Sequence, residues 1–209
     1  YENSYGTVGV VFEHSFDEVT HVTGEKVSHE TKKDVTHVTV EVTPYRTEST
    51  YSDSRHPDSV SLSNRLEDDL MRRDFTINAM AYSVSHEKLV DLYNGQEDLK
   101  DSLLRTVGSP DERLTEDALR MLRAVRFAVQ LGFSISHETM ESIIRNADRI
   151  QKVSMERVRD EFEKIILSDG PAAGVGMLQK FGLLKHFIPE LEEGIGCDQK
   201  GEHIYDVYD

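Results

Sequence analysis

Residues 114–131, with the sequence LTEDALRMLRAVRFAVQL, place charged side chains where they could bind a small ligand. At about 100° per residue, a helix here would group Glu116, Arg120 and Arg123 in a wedge of roughly 60°, with Asp117 one turn before Arg120. A carboxylate beside an arginine fork complements the Watson–Crick edge of cytosine or adenine, where an amine lies next to a ring-nitrogen acceptor. The alternative is an ordinary surface ion pair, which stabilises a helix by only about 0.2–0.5 kcal/mol.

Two further segments lie upstream of this stretch: RRDFTINAMAY at Arg72 to Tyr82, and DLYNGQEDL at Asp91 to Leu99. With all three segments in this order, the chain resembles the bacterial class II tRNA nucleotidyltransferases, the family of CCA-adding enzymes and bacterial poly(A) polymerases. The resemblance extends from about residue 5 to the last residue, apart from an unmatched segment at 13–39.

The resemblance implies a role for each charged member of these segments. Arg73, beside Arg72, would contact the nucleotide phosphates, while Asp74 and Asn78 would contact the ribose hydroxyls. A planar guanidinium donates in parallel to phosphate oxygens, and a carboxylate accepts from the 2′-hydroxyl that marks a ribonucleotide. The alternative is a salt-bridged helix start in which Asn78 is a cap or is exposed.

The resemblance also assigns residues of the later helices. Asp117, Arg120 and Arg123 would bind the nucleotide, with the first two at the base. Residues 156, 157 and 161 match another family motif, which we interpret as support for the neck rather than as chemistry.

The implied reaction is template-independent addition of CMP and AMP to the tRNA 3′ end by phosphoryl transfer, with ATP, CTP and Mg²⁺. A-only, CC-only or poly(A) products would use the same motifs. The family's metal-binding Asp-x-Asp pair and glycine-rich turn are expected upstream of Tyr1, so we predict no metal ligand within these residues and no turnover by them alone. Glu41 could support the metal site, or simply face solvent. A non-catalytic nucleotide- or RNA-binding module and a purely helical interaction domain are competing interpretations.

Composition limits the kinds of surface that the chain can present. Its 209 residues have a net charge of −15, which argues against a generally basic nucleic-acid surface, so any RNA contact must be local. Cys197 is the only cysteine, which excludes a disulfide framework and fits a reducing cytoplasm. No run of 18 apolar residues occurs, so we expect a soluble protein without a membrane partner. The sequence leaves the oligomeric state open.

The N-terminal part is predicted to be mainly strands. Residues 6–12 are rich in valine and predict a strand. The repeated VTHVT at 19–23 and 35–39 predicts a hairpin insertion around a polar loop at 24–34, in which His21 and His37 could bind a metal or lie on a surface hairpin. A further strand is predicted at 38–45, and residues 46–57 resemble the family's flexible loop, the alternative being an ordinary mobile loop.

The remaining residues are predicted to be mainly helical. A short strand at 89–93 should end at Asn94 and Gly95, and one long helix should begin at an N-cap Thr115 and end at Gly132. Apolar periodicity predicts helices around 140–147 and 158–166, and Pro171 should start another. The end, 196–209, resembles a segment leading to an HD-type phosphohydrolase domain, but His203 and Asp206 alone do not make a metal site.

The predicted fold class is α+β: a nucleotidyltransferase-type head with a small β-sheet, then an all-helical neck and the start of a body. The predicted domains are a partial catalytic head at 1–105, a helical neck for base recognition at 106–170, and the start of a helical body at 171–209.

Overall fold

The structure is a computed structural model that describes residues 8–15, 35–48 and 59–194. Its contacts divide the chain into two compact units, Tyr1–Tyr45 and Arg46–Asp209. The domain boundaries expected near residues 105 and 170 stay predictions. The tail at 196–209, the 24–34 loop and His21 lie outside the described residues.

The first unit is built on an antiparallel two-stranded ribbon. Strand β1 (Val8–Ser15) pairs with β2 (Val35–Val42), in a register that runs from Val8↔Val42 to Ser15↔Val35. The first strand therefore continues three residues beyond its predicted end, and the strands predicted at 35–39 and 38–45 are one strand. Alternating valines, which suit a pleated strand, explain why this stretch pairs without interruption.

The described residues of the second unit contain six short strands in three two-stranded sheets. They are β3 (Arg46–Glu48), β4 (Val60–Leu62), β5 (Met80–Ser83), β6 (Lys88–Asp91), β7 (Leu103–Leu104) and β8 (Ser134–Ile135). The pairs β3–β4 and β5–β6 are antiparallel, and β7–β8 is parallel. The strand expected at 89–93 is confirmed as β6. The prediction of an irregular loop at 46–57 is wrong for its first three residues, which form β3. Residues 49–57 lie outside the described residues.

Helices are the main elements among the described residues of the second unit. They are α1 (Leu66–Met71), α2 (Gly95–Lys100), α3 (Pro110–Glu116), α4 (Leu119–Leu131), α5 (His137–Asn146), α6 (Met155–Ile166), α7 (Pro171–Lys180) and α8 (Pro189–Glu193). Three 3-10 helices, Thr76–Asn78, Ala147–Lys152 and Leu184–His186, join them. This confirms the α+β class. No described helix has the length and apolar character needed to cross a membrane.

Helix α4 lies at the centre of the core of this unit. Ala118, directly before it, and its residues Met121, Leu122 and Val125 share one apolar face at the helical period and are fully buried. Phe127, on the same helix, packs edge-on against Phe75, with their ring centroids 5.8 Å apart. The contact fixes the segment that follows Arg73 against α4.

The single helix predicted over 114–131 is wrong, because the chain breaks at Asp117. That residue has extended backbone angles (φ −138°, ψ 103°) and separates α3 from α4. Thr115 is therefore not an N-cap: it lies in the last turn of α3, where its hydroxyl donates to Asp111 O at 2.6 Å.

The predicted helix ends further along the chain are confirmed. Gly132 adopts the left-handed conformation (φ 68°) and donates its N–H to Ala128 O, as a C-terminal glycine should. Pro171 stands at the first position of α7, where its missing N–H removes no helical hydrogen bond.

Candidate nucleotide-binding site

A buried carboxylate, Asp69 at the end of α1, holds the two arginines of the predicted phosphate contact. Its Oδ1 accepts from Arg72 Nε and Nη2 at 2.9 and 2.6 Å, and its Oδ2 accepts from Arg73 Nη2 at 3.0 Å. Burial raises the pKa of Asp69, but the two guanidinium groups outweigh it, so the pKa lies below its ordinary value. Arg73 remains 42% exposed, and its buried Nε has no hydrogen-bond partner among the described residues.

Asp74 is buried between the head segment and helix α4. Its Oδ2 accepts from Arg123 Nε at 2.9 Å and Nη2 at 2.5 Å, while its Oδ1 accepts from Phe75 N at 2.8 Å and Asn78 Nδ2 at 3.1 Å. Burial raises the pKa of Asp74, whereas Arg123 and the hydrogen bonds lower it, and the net result is a lowered pKa. The carboxylate is thus ionised at neutral pH and orients Asn78.

The segment DLYNGQEDL, at residues 91–99, packs against the backbone of Thr76, two residues after Asp74. Asp91 caps α2 by accepting from Gly95 N and Gln96 N at 2.8 and 2.9 Å, across a left-handed Asn94. A Cβ on Gly95 would lie 2.4 Å from Thr76 O, so only glycine allows α2 to approach the backbone there. The turn predicted at Asn94 and Gly95 is therefore confirmed, and its glycine serves packing.

Arg120 is buried and donates to three acceptors within the protein. Its Nη1 donates to Glu116 Oε2 at 2.9 Å and to Arg113 O at 3.1 Å, and its Nη2 donates to Arg72 O at 3.0 Å. The last bond joins α4 to the segment that carries Arg72 and Arg73, 48 residues earlier in the chain. The pair with Glu116 is present as predicted, but it is partly buried and is not an exposed surface pair.

The prediction that Asp117 and Arg120 share a helix is wrong. Asp117 instead forms the break between α3 and α4. Its Oδ1 accepts from Leu119 N at 3.1 Å, which satisfies a free donor at the start of α4. Its carboxylate also pairs with Arg157 of α6, whose Nη2 donates to Oδ2 at 2.8 Å. An extended residue followed by a helix start is the geometry in which aspartate stabilises an N-terminus.

The structure brings the predicted residues of the head and the neck into one connected group. Hydrogen bonds join Asp74 to Asn78 and Arg123, and a bond from Arg120 reaches the backbone of Arg72. The side chains of Asp117 and Arg120 do not bond to each other; their link is Arg120 N to Asp117 O at 3.0 Å.

Two residues that position this group were missed. Asp69 was visible in the sequence at three and four residues before the paired arginines, which is ion-pair spacing on a helix. Arg157 had been interpreted only as neck support, because no local signal connects it with a residue 40 positions earlier.

No group of three or more His, Cys, Asp or Glu side chains within residues 8–15, 35–48 and 59–194 is arranged to hold a metal ion. The resemblance implies magnesium ligands upstream of Tyr1, and that assignment stays a prediction. Glu41 lies exposed in β2 opposite Gly9, and its support of a metal site stays a prediction.

Two family models match the chain. The poly A polymerase head domain matches residues 4–105, and the model described as a probable RNA and SrmB-binding site of polymerase A matches residues 132–195. The two models lie on either side of helices α3 and α4 and together cover most of the chain.

Curated relatives and solved structures agree with these matches. The chain is 47% identical over 152 residues to the CCA-adding enzyme of Limosilactobacillus reuteri, covering 73% of this chain and 37% of the relative. It is 51% identical over 125 residues to that of Lactobacillus helveticus, covering 60% and 31%. The crystal structure of the Bacillus stearothermophilus CCA-adding enzyme in complex with CTP aligns with TM-score 0.67 and 35% identity, over 76% of this chain and 38% of that one. The Thermotoga maritima CCA-adding enzyme complexed with tRNA aligns with TM-score 0.55 and 28% identity, over 64% and 38%.

The chain spans about a third of the length of these relatives. Over the part that is present, the chain matches both family models, is nearly one half identical to the curated relatives and has a similar fold. These findings establish its family. The chain belongs to the tRNA nucleotidyltransferase and poly(A) polymerase family.

Proposed function

We propose that the protein containing this chain adds CMP and AMP to the 3′ end of tRNA without a nucleic-acid template, using CTP and ATP. The observation that carries the proposal is the hydrogen-bonded group that joins the head segment to the neck helix. It is supported by the similarity to CCA-adding enzymes, one of them in complex with CTP. The proposed nucleotide-binding residues are Arg72, Arg73, Asp74, Asn78, Asp117, Arg120 and Arg123.

The charges of the head segment suit a ribonucleoside triphosphate. Arg73 is the more exposed of the two arginines held by Asp69, at 42% against 18% for Arg72, so its guanidinium is the one that can reach a phosphate oxygen. Asp74 and Asn78 provide an acceptor and an amide for ribose hydroxyls, next to that phosphate contact. We assign Arg123 to orienting Asp74, because both of its bonds reach the same carboxylate oxygen.

In this proposal, Asp117 and Arg120 select the base. A carboxylate accepts from the amine of cytosine or adenine, and a guanidinium donates to the adjacent ring nitrogen. Uracil and guanine would leave like groups facing each other, at about 1–3 kcal/mol for each buried group left unpaired. Base binding would exchange part of the Asp117 contact with Arg157, and part of the Arg120 contacts with backbone oxygens, for contacts with the base.

Magnesium belongs to the proposal as the family's usual requirement for phosphoryl transfer, in which a metal ion neutralises phosphate charge. We assign none of its ligands within the described residues. The proposed domains are a head at 1–105, a base-recognising neck at 106–170 and the start of a body from 171, in a cytoplasmic enzyme.

The test is incubation of the full-length protein with tRNA transcripts that end before CCA, after the first C, and after CC, each with one labelled nucleotide and with or without EDTA. The expected result is CMP on the first two transcripts, AMP on the third, and no product with EDTA. AMP addition to every transcript, in long tracts, would instead indicate a poly(A) polymerase. Nucleotide binding without any product would indicate a non-catalytic module.

The phosphate role of Arg73 is tested separately. Arg73→Ala should raise the KM for CTP and ATP by the same factor, because a phosphate contact carries no base information. A change in the CTP to ATP preference at unchanged KM would contradict this assignment.

A further inference from the structure

Arg113 of helix α3 belongs to a closed set of contacts around Arg120. Its Nη2 pairs with Glu116 Oε1 at 2.5 Å, while Glu116 Oε2 accepts from Arg120 Nη1 at 2.9 Å. The backbone oxygen of Arg113 also accepts from Arg120 Nη1, at 3.1 Å. The carboxylate of Glu116 is thus held on both sides by arginines, one from α3 and one from α4.

The same two arginines bind the end of helix α1. Arg113 Nη1 donates to Met71 O at 3.1 Å, and Arg120 Nη2 donates to the next carbonyl, Arg72 O, at 3.0 Å. Met71 is the last residue of α1 and Arg72 is its C-cap, directly before Arg73. The last carbonyls of a helix have no partner within the helix, so the guanidinium groups supply donors that this end needs. One side chain, that of Arg113, therefore joins this segment to the carboxylate that holds Arg120.

The three acceptors of Arg120 are not equivalent. Two of them are backbone oxygens, and base binding would exchange part of these contacts for contacts with the base. The third is the Glu116 carboxylate, and a hydrogen bond between two charged groups is stronger than one to a neutral carbonyl. Glu116 is therefore the contact that Arg120 keeps while a base is bound. The direction of the Arg120 guanidinium then depends on Glu116, and that of Glu116 on Arg113.

We propose that Arg113 is a positioning residue for base selection, which fixes Glu116 and through it directs the guanidinium of Arg120 towards the base. The inference rests on the proposed function and deepens it, since it adds a residue that acts through another. An arginine suits this role because its planar fork donates to two acceptors, the Glu116 carboxylate and Met71 O, in fixed relative directions. The two side chains of the Arg113–Glu116 pair are only 15% and 24% exposed, and a local environment with little water strengthens such a pair.

The test measures base selectivity of the full-length protein on a tRNA transcript that ends before CCA. The measured quantity is the ratio of kcat/KM for CTP to that for UTP, taken on one preparation of each variant so that a difference in folded fraction cancels. R113Q should lower this ratio about ten-fold, because misplacing a binding group by about 1 Å can cost up to about 100-fold in rate. R113K keeps the charge but lacks the planar fork, so it should lower the ratio less. The double variant R113Q/E116Q should lower it no further than E116Q alone.

The matched control is R126Q in helix α4. Arg126 is buried to a similar degree, at 13% exposure, and pairs with Glu161 at 2.6 Å. Its other side-chain hydrogen bond is to Gln130, so it lies outside the contacts around Arg120. R126Q should lower the urea concentration at the midpoint of unfolding and leave the CTP to UTP ratio unchanged.

Discrimination between CTP and dCTP supplies a second control within R113Q itself. Asp74 and Asn78, the proposed ribose contacts, are held by Arg123 and Phe75 N rather than by Arg113. The ratio of kcat/KM for CTP to that for dCTP should therefore stay the same in R113Q.

An unchanged CTP to UTP ratio in R113Q would overturn the inference and leave Arg113 with a structural role only. Equal losses of base and sugar discrimination would also overturn it, because they would indicate a general loosening of the site, and so would additive losses in R113Q/E116Q. If the unsubstituted protein added UMP as readily as CMP, or added neither, the proposed function itself would fail. Selective addition of CMP by both the unsubstituted protein and R113Q would refute only the positioning role.

Discussion

The contact between Asp117 and Arg157 gives the sharpest prediction, because it joins a break between helices to a residue 40 positions away. We consider Arg157→Gln, which removes the charge and keeps a polar side chain of similar reach. The two side chains are 16% and 28% exposed, so the pair lies between a buried and a surface ion pair.

The expected loss follows from this burial. A hydrogen bond to a charged group contributes about 1.5–3 kcal/mol when buried, and an exposed pair about 0.2–1 kcal/mol. We therefore expect Arg157→Gln to lower the free energy of unfolding by about 1–2 kcal/mol. Because the same carboxylate caps Leu119 N, Asp117→Asn should cost a similar amount, and the double variant should cost less than the sum.

Urea unfolding of the full-length protein measures these free energies, and Arg159→Gln is the matched control. Arg159 lies on the same helix but is 70% exposed and pairs only with its neighbour Asp160. Its substitution should change the free energy of unfolding by less than about 0.5 kcal/mol.

A second measurement separates positioning from general stability. If Arg157 fixes the Asp117 carboxylate for base selection, Arg157→Gln should lower the ratio of kcat/KM for CTP to that for UTP, while Arg159→Gln leaves it unchanged. Arg157→Lys should restore the CTP to UTP ratio only partly, because a lysine lacks the planar donor fork of an arginine. Equal effects of the two glutamine variants on both measurements would refute the reasoning.

Two further predictions concern stability. Gly174→Ala should destabilise the protein by about 1–3 kcal/mol, because the new Cβ would lie 2.4 Å from Cγ2 of the buried Ile165. Gly176→Ala in the same helix places its Cβ in open space and should stabilise the protein by about 0.5–1 kcal/mol. Equal melting temperatures of the two variants would contradict this prediction. A hydrogen bond from Ser142 lowers the pKa of Asp111, and other α5 side chains lower it further. The ionised carboxylate therefore stabilises the fold at a pH above its ordinary pKa. This stabilisation is lost as the pH falls through the lowered pKa. The melting temperature should therefore fall less between pH 6 and about pH 3 in Asp111→Asn than in the unsubstituted protein, and parallel curves would count against the assignment.

Local signals predicted much of the fold. Gly132 and Pro171 mark helix ends through their own backbone preferences, and the apolar period of α4 identified residues that are indeed buried. The break at Asp117 could not be predicted in this way, since the run after Leu114 has helical periodicity throughout. The extended residue is stabilised by a local bond from Leu119 N and by a distant ion pair with Arg157, which no local pattern reveals.

For the candidate site, too, local signals predicted some features, while distant contacts set the others. Residue types and their order along the chain indicated a nucleotide site, and the residues named for it lie together in the structure. Their partners were less predictable: Arg123 bonds to Asp74 across 49 positions, and Arg120 reaches the backbone of Arg72 across 48. No periodicity within a single helix contains that information.

The buried pair of Asp74 and Arg123 has a consequence for building chimaeric enzymes from related parents. A crossover after residue 105 would take Asp74 from one parent and Arg123 from the other, and it would also divide the backbone bond from Val107 N to Asp74 O. A mismatch that replaced Arg123 would leave the buried Asp74 carboxylate without its counterion, which costs up to about 3–5 kcal/mol. Residues 69–161 therefore form one transferable block, because Asp117 pairs with Arg157 and Arg126 pairs with Glu161 across any crossover placed just after residue 126.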